Sequence, residues 1–463
     1  MTVRRVVLTG FRGTGKTDTG RVLARRFGVP FIDTDALIEL TTGRKIADIF
    51  RDDGEARFRA IERDTIASLP PADAVISTGG GAVMDPGNVE RLHRDSTVVL
   101  LTADPEVITE RIEGTGRPSL TGLPLRDEVR EVLGQRRQAY RAASDLCIDT
   151  GSTTPAEAAN AIFARIRDGD VSVAARARAL TFFRSGRIPG PGLSRLEEIL
   201  GGDAEQPRIL GVAGNPCIHS RGPALFNALF ARYGLRYHYT WFEHPEIKEI
   251  LEIARGLSAK GLSVTIPFKQ EVMGYLEGID EIAATEIAAV NTVVFGCGGS
   301  IGYNTDWIGI REPLAGLKGS KAVLLGAGGV AAAAAYALSS LGMELTIINR
   351  TEEKARSLAD RSGCSWAPWD AFDTLHPDLV VNATPVGMHP DTKSPLKEDQ
   401  LEAGMTVFDL VYTPAETPLL RAAQKRGCRI IPGTEMFIGQ AREQFRLFFG
   451  IDVPAGIIRE NLI

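Results

Sequence analysis

Short apolar runs alternate with longer polar segments of helical period along most of the chain. In the first stretch, strand-like runs occupy residues 3–8, 74–77 and 97–101, and the segments between them repeat apolar residues every three or four positions. Strands that alternate with helices in this way form a parallel sheet covered by helices. We therefore predict an α/β unit over residues 1–170.

The pattern weakens over residues 171–207. The run at 187–192 reads Arg-Ile-Pro-Gly-Pro-Gly and cannot continue a helix or a central strand, because proline has no backbone N–H to donate. This composition predicts a connector over 171–207. A new strand-like run at 208–212 then opens a second part of the chain.

Two further units are predicted beyond the connector. Strand and helix signals alternate over residues 208–317, and a separate βαβ series begins with the apolar run at 321–325 and continues to about 439. Helical periodicity near the end of the chain predicts a helix within 440–463 that returns to the 208–317 unit. The overall expectation is an α/β protein of three units.

Length and composition agree with this division. The chain has 463 residues, more than one ordinary core holds, and 44% of them are hydrophobic while 24% are charged. These proportions exclude a largely disordered chain. No apolar run approaches the roughly 18 to 20 uncharged residues of a membrane span, and residues 1–5 lead into a strand rather than a signal peptide. We expect a cytoplasmic protein with no membrane partner.

Charge and cysteine content narrow the expected partners. A net charge of -5 leaves no basic surplus for nucleic acid, so small molecules are the expected partners. A homo-oligomer remains open. The cysteines are far apart and lack CxxC or metal-like spacing, and we interpret them as reduced structural thiols. They are Cys147, Cys217, Cys297, Cys364 and Cys428.

The first chemical motif follows the first strand. Residues 10–17 read Gly-Phe-Arg-Gly-Thr-Gly-Lys-Thr and match GxxxxGK[ST] in full. Gly13 and Gly15 let backbone N–H groups surround phosphate oxygens at the positive end of the next helix. Lys16 reaches the β- and γ-phosphates, and Thr17 offers a hydroxyl to Mg²⁺. The motif predicts ATP and Mg²⁺ as ligands and leaves the phosphoryl acceptor open.

Two carboxylates follow the next apolar run. Asp33 and Asp35 come after Phe31-Ile32 at a strand end, where alternation places both on one side near the phosphates. One can help to hold Mg²⁺, and the other can take a proton from an acceptor hydroxyl. An Asp pair by itself is more often a helix N-cap, so that interpretation stays open.

Further glycines and arginines are spaced along the same unit. Each arginine alone is typical of a solvent-exposed charge, but the set at these intervals resembles shikimate kinase over residues 2–167. The residues that carry the resemblance are Arg59 and Glu62, then Gly79, Gly80 and Gly81 after a strand, then Arg117 in a loop, then Arg136 and Tyr140.

The resemblance implies a P-loop kinase fold and roles for several residues of this unit. Arg59 and Arg136 would hold the shikimate carboxylate in bidentate fashion, while the three glycines let the ring lie against bare backbone. Asp35 would hold the attacking ring hydroxyl. Arg117 would sit on a lid and neutralise charge on the transferring phosphoryl group, and Arg111 would stack on adenine.

A dinucleotide motif opens the last unit. It matches GxGxx[GA] between a strand and an alanine-rich helix, the context in which this fingerprint binds a dinucleotide. Its residues are Gly326, Ala327, Gly328, Gly329, Val330 and Ala331. About 20 residues later, where an NAD enzyme places an acidic residue, the chain has Asn349, Arg350 and Thr351. An arginine there can receive a 2′-phosphate, so we predict NADP(H).

Three short motifs lie between the connector and this fingerprint. A strand ends in Thr265-Ile-Pro-Phe-Lys269, Asn291-Thr292 follows, and a loop ends in Asn-Thr-Asp306. Their placement would bring an ammonium and a carboxylate together at a domain cleft. A lysine that protonates a carbonyl under reduction, positioned by an aspartate, suits such a reaction. Lys269 by itself is typical of a surface lysine.

Together with the runs at 382–388, 409–414 and 433–440, this set resembles shikimate dehydrogenase from residue 209 onward. The resemblance implies an α/β substrate domain, a Rossmann NADP-binding domain, and Lys269 and Asp306 as the catalytic pair. Gly433 and Met436 would border the nicotinamide ring. The residues around the substrate would be Ser220, Gly222, Thr265, Asn291, Tyr412 and Gln440.

The two resemblances imply consecutive reactions. The second half would reduce 3-dehydroshikimate with NADPH, and the first would phosphorylate the shikimate so produced with Mg-ATP. Gly222 stands where the family has the second of two serines, so quinate or a related cyclitol is an alternative substrate. A non-catalytic sensor is the other alternative, against which the intact Lys16, Asp35, Lys269 and Asp306 argue.

Overall fold

Three β-sheets follow one another along the chain, each covered by helices. The computed structural model describes residues 5–114, 119–168, 171–202, 206–317 and 319–462. Within these ranges, none of the helices combines the length and apolar character needed to cross a membrane. Each sheet coincides with one of the predicted α/β units.

The first sheet is parallel, with strand order β2-β3-β1-β4-β5. Its strands are β1 (Arg5–Thr9), β2 (Phe31–Asp33), β3 (Val75–Ser77), β4 (Ser96–Thr102) and β5 (Leu146–Asp149). Its helices are α1 (Lys16–Phe27), α2 (Thr34–Thr42), α3 (Ile46–Ala67), α4 (Pro86–His93), α5 (Pro105–Ile112), α6 (Leu125–Ala142) and α7 (Pro155–Asp168). The carboxyl ends of β1, β2 and β3 meet at one edge, where the phosphate loop, Asp33 and Gly79 follow them.

The segment predicted as a connector contains two helices, α8 (Val173–Ser185) and α9 (Gly190–Gly201). Pro191 lies in the first turn of α9, where a proline removes no helical hydrogen bond. Phe182 and Phe183 of α8 pack on Phe242 of the second sheet. The sequence pattern did not predict these two helices. Their apolar side chains pack on the second sheet, which is formed by residues later in the chain.

The second sheet is mixed, with strand order β7-β6-β8-β10-β11-β9, and β10 runs antiparallel to β8 and β11. Its strands are β6 (Arg208–Gly214), β7 (Tyr237–Glu243), β8 (Gly261–Val264), β9 (Gly278–Ile279), β10 (Thr292–Gly296) and β11 (Gly299–Tyr303). Its helices are α10 (Gly222–Tyr233), α11 (Ile247–Gly256) and α12 (Asp306–Arg311).

The third sheet is parallel, with strand order β14-β13-β12-β15-β16-β17, as a dinucleotide-binding fold requires. Its strands are β12 (Lys321–Leu325), β13 (Glu344–Ile348), β14 (Ser365–Ala367), β15 (Leu379–Asn382), β16 (Thr406–Asp409) and β17 (Arg429–Ile431). Its helices are α13 (Gly329–Ser340), α14 (Glu352–Ser362) and α15 (Pro418–Lys425).

Two last helices, α16 (Gly433–Phe449) and α17 (Ala455–Glu460), return to the second sheet. Gly439 of α16 lies against Gly309 of α12, and a Cβ on either residue would collide with the other helix. Phe445 packs on Phe226 of α10. Helix α16 begins seven residues before the periodic segment at 440–449, because its first turn rests on the strand ends of the third sheet.

The first and second sheets share one apolar core. A single cluster of buried side chains runs from Val7 and Tyr140 through Leu210 to Phe445. The first and second sheets therefore do not have independent apolar cores. The physical reason is that α6 packs against α16, which begins 291 residues after α6 ends.

Polar contacts cross the same contact surface, which we call the α6 interface: Arg141, Ser144 and Asp145 on one side, Arg208, Tyr237 and Lys260 on the other. The Tyr237 hydroxyl donates to Asp145 Oδ1 at 2.6 Å, and Lys260 Nζ donates to the Arg141 carbonyl at 2.8 Å. Lys260 also donates to the Ser144 carbonyl, and Arg208 donates to the Asp145 carbonyl.

A disulfide joins Cys147 to Cys297 across this interface. The interpretation of all five cysteines as reduced thiols is therefore wrong for these two. Their separation of 150 residues left no motif in the sequence, and the fold alone brings them together. Cys217, Cys364 and Cys428 are free thiols, as expected.

Candidate active sites

The phosphate loop lies between β1 and α1, as its motif predicts. Gly13 and Gly15 have positive φ angles of 85° and 80°, which glycine adopts without strain. Lys16 Nζ donates to the carbonyls of Gly10 and Phe11 at 2.8 and 2.9 Å, which holds the ammonium over the loop. The loop thus presents backbone N–H groups, a helix N-terminus and an ammonium to one anion.

Asp33 joins two interactions at the start of α2. Its Oδ1 accepts from the backbone N–H of Asp35 and Ala36, so it caps the helix. Its Oδ2 accepts from the Thr17 hydroxyl at 2.9 Å. The cap interpretation is therefore correct for Asp33, and the same carboxylate faces the phosphate loop. Asp35 lies in the first helical turn rather than on a strand, so strand alternation did not set its direction.

The three glycines after β3 form the floor of a second pocket. A Cβ on Gly79 would lie 2.8 Å from both Asp35 Oδ1 and Glu62 Oε1. A Cβ on Gly81 would lie 2.5 Å from the Arg59 guanidinium nitrogens. Asp35, Glu62 and Arg59 therefore converge on bare backbone. Any larger residue at Gly79 or Gly81 would displace these groups.

Arg59 is held by two carboxylates on its own helix. Its Nη1 donates to Glu62 Oε2 at 2.8 Å, and its Nε and Nη2 donate to Glu55 Oε1. Glu62 is 1% exposed, and its Oε1 has no hydrogen-bond partner within the described ranges. Burial raises the pKa of the Glu62 carboxyl, and the nearby Arg59 charge offsets only part of this rise.

Helix α6 supplies the opposite wall. Arg136 Nη1 donates to the Gly80 carbonyl at 3.0 Å, and the Tyr140 hydroxyl donates to the same carbonyl. A Cβ on Gly80 would lie 3.5 Å from Arg12 N and Gly10 O of the phosphate loop. The pocket therefore adjoins the phosphate loop directly.

Of the two arginines predicted to act on the lid and at the adenine, the structure describes one. Arg117 lies outside the described residues. Arg111 Nη2 donates to the Thr150 carbonyl at 2.6 Å, and Nη1 donates to the Gly13 carbonyl at 3.4 Å. Arg111 is thus beside the phosphate loop, and its stacking on adenine stays a prediction.

The second site centres on one ion pair between β8 and α12. Lys269 Nζ donates to Asp306 Oδ2 at 2.6 Å, with the carboxylate 1% and the ammonium side chain 20% exposed. Asn291 Nδ2 donates to the other oxygen, Oδ1, at 2.8 Å. Asp306 opens α12, where a carboxylate also meets the positive end of the helix. The ammonium is therefore held in place and still reaches the surface.

Some of the other residues predicted around the substrate lie near this ion pair. Gln440 Oε1 accepts from Asn291 Nδ2 at 3.4 Å. The Tyr412 ring lies against Phe437, with centroids 5.4 Å apart and planes tilted by 44°. Burial raises the pKa of the Tyr412 phenol, the Arg221 charge lowers it, and the nearby Asp306 charge raises it. Thr265 follows β8 directly and donates its backbone N–H to Ala213.

Ser220 and Gly222 lie at the start of α10. The Gly222 backbone N–H donates to Ser220 Oγ at 3.1 Å, so the serine keeps its own proton for a ligand. A Cβ on Gly222 would lie 3.2 Å from both Ser220 Oγ and Tyr239 Cε1. Tyr239 therefore fills much of the space that the missing side chain would leave.

The dinucleotide loop has the geometry that its fingerprint requires. Gly326 has φ 111° and lies against Ala383, while Gly328 caps α13. Within the described chain, a Cβ on Gly328 or Gly329 would meet nothing within 4 Å, which leaves room for a dinucleotide. Ala327 and Val330 lie in the same turn, and Ala331 is fully buried against the sheet.

The predicted 2′-phosphate and nicotinamide positions flank this loop. Arg350 is exposed at the end of β13, next to Asn349, whose amide donates to the Thr351 carbonyl. Gly433 opens α16 so close to the Leu410 and Val411 carbonyls that a Cβ there would collide with them. Met436 follows one turn later and is buried.

Family models match most of the chain. The model described as shikimate kinase matches residues 12–167. Three more match parts of the remainder: shikimate dehydrogenase substrate binding domain over 212–293, shikimate/quinate 5-dehydrogenase over 310–386, and shikimate 5′-dehydrogenase C-terminal domain over 433–463.

Curated proteins and solved structures are similar to the second half of the chain. Shikimate dehydrogenase (NADP(+)) of Maridesulfovibrio salexigens is 40% identical over 263 residues, which cover 55% of this chain and 96% of that protein. This chain belongs to the shikimate dehydrogenase family. Its N-terminal part is a shikimate kinase domain, so two enzyme families are fused in one polypeptide.

Two solved dehydrogenases show the same fold. The shikimate 5-dehydrogenase of Thermus thermophilus, in complex with NADP(H) and shikimate, is 32% identical and covers 55% of this chain and 97% of its own, with a TM-score of 0.51. The Corynebacterium glutamicum quinate dehydrogenase, in complex with NAD, is 33% identical and covers 56% and 99%, with a TM-score of 0.53.

Sequence reasoning gave no role to three residues that the fold places in these sites. Glu62 lies three residues after Arg59, and Gln444 four residues after Gln440, so each pair shares a helix face. That spacing could have pointed to both. Tyr140 lies four residues after Arg136 on the same face of α6, and its hydroxyl donates to the Gly80 carbonyl in the kinase pocket.

Proposed function

We propose that this protein reduces 3-dehydroshikimate to shikimate with NADPH and phosphorylates shikimate to shikimate 3-phosphate with ATP. The observation that carries the proposal is the pairing on one chain of a partly buried Lys269–Asp306 ion pair with a phosphate loop that adjoins a carboxylate- and arginine-lined pocket. The product of the first reaction is the acceptor of the second.

In the reduction, Lys269 protonates the carbonyl oxygen while NADPH supplies the hydride. Asp306 keeps the ammonium in the cleft, and Asn291 keeps the carboxylate from turning. Ser220, Gly222, Thr265, Tyr412 and Gln440 surround the ring. General acid catalysis by such a positioned group contributes about 10² to 10⁴ in rate.

In the phosphorylation, Lys16 and the start of α1 stabilise the phosphates of ATP. Thr17 and Asp33 would hold Mg²⁺, which usually takes few protein oxygens because substrate phosphates and waters supply its other ligands. Within the described segments, no group of three or more His, Cys, Asp or Glu side chains is placed to hold a metal ion by itself.

The acceptor is positioned by the pocket beside the loop. Asp35 takes the proton of the attacking hydroxyl, and Arg59 and Arg136 hold the carboxylate over Gly79, Gly80 and Gly81. Arg117 and Arg111 keep the roles expected for a lid and for adenine. The cation-lined, glycine-floored pocket supports an anionic, flat acceptor.

The remaining expectations belong to the same proposal. We assign the kinase domain to 1–170, the dehydrogenase substrate domain to 208–317 with 440–463, and the Rossmann domain to 318–439. The segment 171–207 carries α8 and α9 on the substrate domain. We place the protein in the cytoplasm, where NADPH and ATP are available, with small-molecule partners only. A homo-oligomer stays open.

A coupled assay tests both activities. The protein receives 3-dehydroshikimate, NADPH and Mg-ATP, and NADPH oxidation and ADP release are followed together. We expect ADP release only after NADPH oxidation begins, and ADP release at once when shikimate replaces 3-dehydroshikimate. Failure of both reactions in folded protein would favour the non-catalytic sensor.

A second candidate substrate is quinate, favoured by Gly222. Quinate carries an extra tertiary hydroxyl beside its carboxylate, and a missing serine side chain removes one ligand of that carboxylate. Tyr239 fills part of the space, which limits the room gained. We expect quinate oxidation as a side activity, with kcat/KM for quinate relative to shikimate falling in Gly222→Ser. An unchanged ratio would show that Gly222 does not set specificity.

A further inference from the structure

A chain of buried polar side chains runs beneath the dehydrogenase site. It begins at Tyr239 on β7, passes through Ser263 on β8 and Gln444 on α16, and reaches Thr292 on β10. The links are 2.7 Å from Tyr239 Oη to Ser263 Oγ, 2.9 Å from Ser263 Oγ to Gln444 Oε1, and 3.1 Å from Gln444 Nε2 to Thr292 Oγ1. We call these four residues the polar relay.

The relay ends on the catalytic pair. The Thr292 hydroxyl donates to Asn291 Oδ1 at 2.8 Å, and Asn291 Nδ2 donates to Asp306 Oδ1 at 2.8 Å. The Thr305 backbone N–H also donates to Asn291 Oδ1, which fixes the amide orientation, since that oxygen can only accept. Asp306 in turn holds Lys269.

The direction of each hydrogen bond follows from the fixed donors and acceptors. Gln444 Nε2 also faces the Asn291 backbone carbonyl at 3.4 Å, so the amide nitrogen is on the Thr292 side and Oε1 is on the Ser263 side. Ser263 must then donate to Oε1, which leaves Tyr239 as the donor to Ser263. All protons therefore point from Tyr239 toward Asp306, and bonds aligned in this way strengthen one another.

The other end of the relay lies under the substrate pocket. A Cβ on Gly222 would lie 3.5 Å from Tyr239 Oη and 3.2 Å from Ser220 Oγ. The relay thus spans the distance between the residues proposed to hold the substrate carboxylate and the pair proposed to protonate its carbonyl.

Gln444 is the only side chain of the relay that lies outside the second sheet. It comes from α16, one helical turn beyond Gln440, so it ties the returning helix to β8 and β10 at once. An amide is suited to this position, because it accepts on one side and donates on the other. A purely apolar side chain there would leave the buried hydroxyls of Ser263 and Thr292 without these partners.

We propose that Gln444 is a positioning residue of the dehydrogenase reaction. It fixes Asn291 through Thr292, and through Asn291 it fixes the Asp306 carboxylate against Lys269. This inference rests on the proposed reduction of 3-dehydroshikimate.

The test is Gln444→Met, which keeps the length of the side chain and removes its hydrogen bonds. We expect kcat for 3-dehydroshikimate reduction to fall about tenfold, the size of one or two lost buried hydrogen bonds, while KM for NADPH changes less than about twofold. Shikimate phosphorylation by the same chain reports that it is folded, and we expect that rate to stay at the wild-type value.

A double variant separates positioning from general loosening. Thr292→Val removes the next link, so Gln444→Met combined with Thr292→Val should lower kcat little more than Thr292→Val alone. Gln400→Met is the matched control, because Gln400 bonds Asp373 far from the relay. Its kcat should equal that of the wild type.

The outcomes are distinct. Wild-type kcat in Gln444→Met, additive losses in the double variant, or an equal loss of kinase activity would each overturn the positioning role while the proposed function stands. A wild-type protein that does not reduce 3-dehydroshikimate at all would overturn the proposed function and this inference with it.

Discussion

The two active sites of this chain differ in how completely their charged groups are paired within the protein. Both oxygens of Asp306 accept hydrogen bonds, one from Lys269 and one from Asn291, and the network continues through Gln444. In the kinase pocket, the buried Glu62 Oε1 has no hydrogen-bond partner in the part of the chain that the structure describes.

This difference shows two ways to prepare a site. The dehydrogenase groups are held in position before substrate arrives, so little reorganisation accompanies the reaction. The kinase pocket instead leaves a buried acceptor facing bare glycine backbone, where a substrate hydroxyl would satisfy it. Substitutions in the dehydrogenase site should therefore act mainly on kcat, and substitutions around Glu62 in the kinase pocket mainly on KM.

The largest effect is expected for Lys16→Ala, which removes the ammonium over the phosphate loop. Shikimate phosphorylation should fall by about 10³ or more, because charge on the transferring group loses its main side-chain partner. NADPH oxidation should stay near the wild-type rate. Loss of both activities in a folded variant would mean that the shared core couples the two sites.

Lys269→Ala should lower kcat for the reduction by about 10² to 10⁴ and leave the affinity for NADPH unchanged. Asp306→Asn should act in the same direction, since the ammonium then loses its ionic partner. Steady-state kinetics and dinucleotide titration measure the two quantities separately. Near-native turnover in both variants would place the proton donor elsewhere.

Glu62→Gln tests the kinase side of the comparison. The neutral amide weakens the hold on Arg59, so KM for shikimate should rise about tenfold or more while kcat changes less. Glu55→Gln is the control, because Glu55 contacts the same arginine from an exposed position, and its effect should be small. Equal changes in kcat and KM would contradict the distinction between the two sites.

Arg350→Ala should raise KM for NADPH about tenfold and leave KM for NADH nearly unchanged, because only NADPH carries the 2′-phosphate. Both values come from initial rates with each dinucleotide. A similar rise for both cofactors would show that Arg350 is a surface charge without this role.

The smallest effect concerns Lys260 in the α6 interface. Burial lowers the pKa of its ammonium to about 8, although the neighbouring Asp145 charge raises it, and the unfolded value is near 10.5. Between these two pH values the unfolded chain binds more protons than the folded one, so stability should rise with pH, by at most about 1.4 kcal/mol per pH unit.

Urea unfolding of the wild type and of Lys260→Met at pH 8, 9 and 10 measures this slope. The variant lacks the titrating group, so the difference between the two free energies of unfolding should change in favour of the wild type as the pH rises. A constant difference would show that Lys260 keeps its ordinary pKa in the folded protein.

Sequence alone determined the parts of this protein whose contacts are local. The phosphate loop from Gly10 to Thr17 and the dinucleotide loop from Gly326 to Ala331 were predicted in their correct context, because a strand, a glycine turn and a helix N-terminus are adjacent in the chain. The three sheets were predicted because their strands and helices alternate in sequence.

Only the tertiary structure decided what joins distant segments. The α6 interface, the Cys147–Cys297 disulfide and the packing of α8 and α9 on the second sheet had no periodic signature. Gln444 gains its partners because α16 returns to β8 and β10, across 181 residues to Ser263 and 152 residues to Thr292. Local patterns record the face of each helix and strand that is buried, but not which distant surface covers it, and that choice is made by packing and hydrogen bonding in the folded chain.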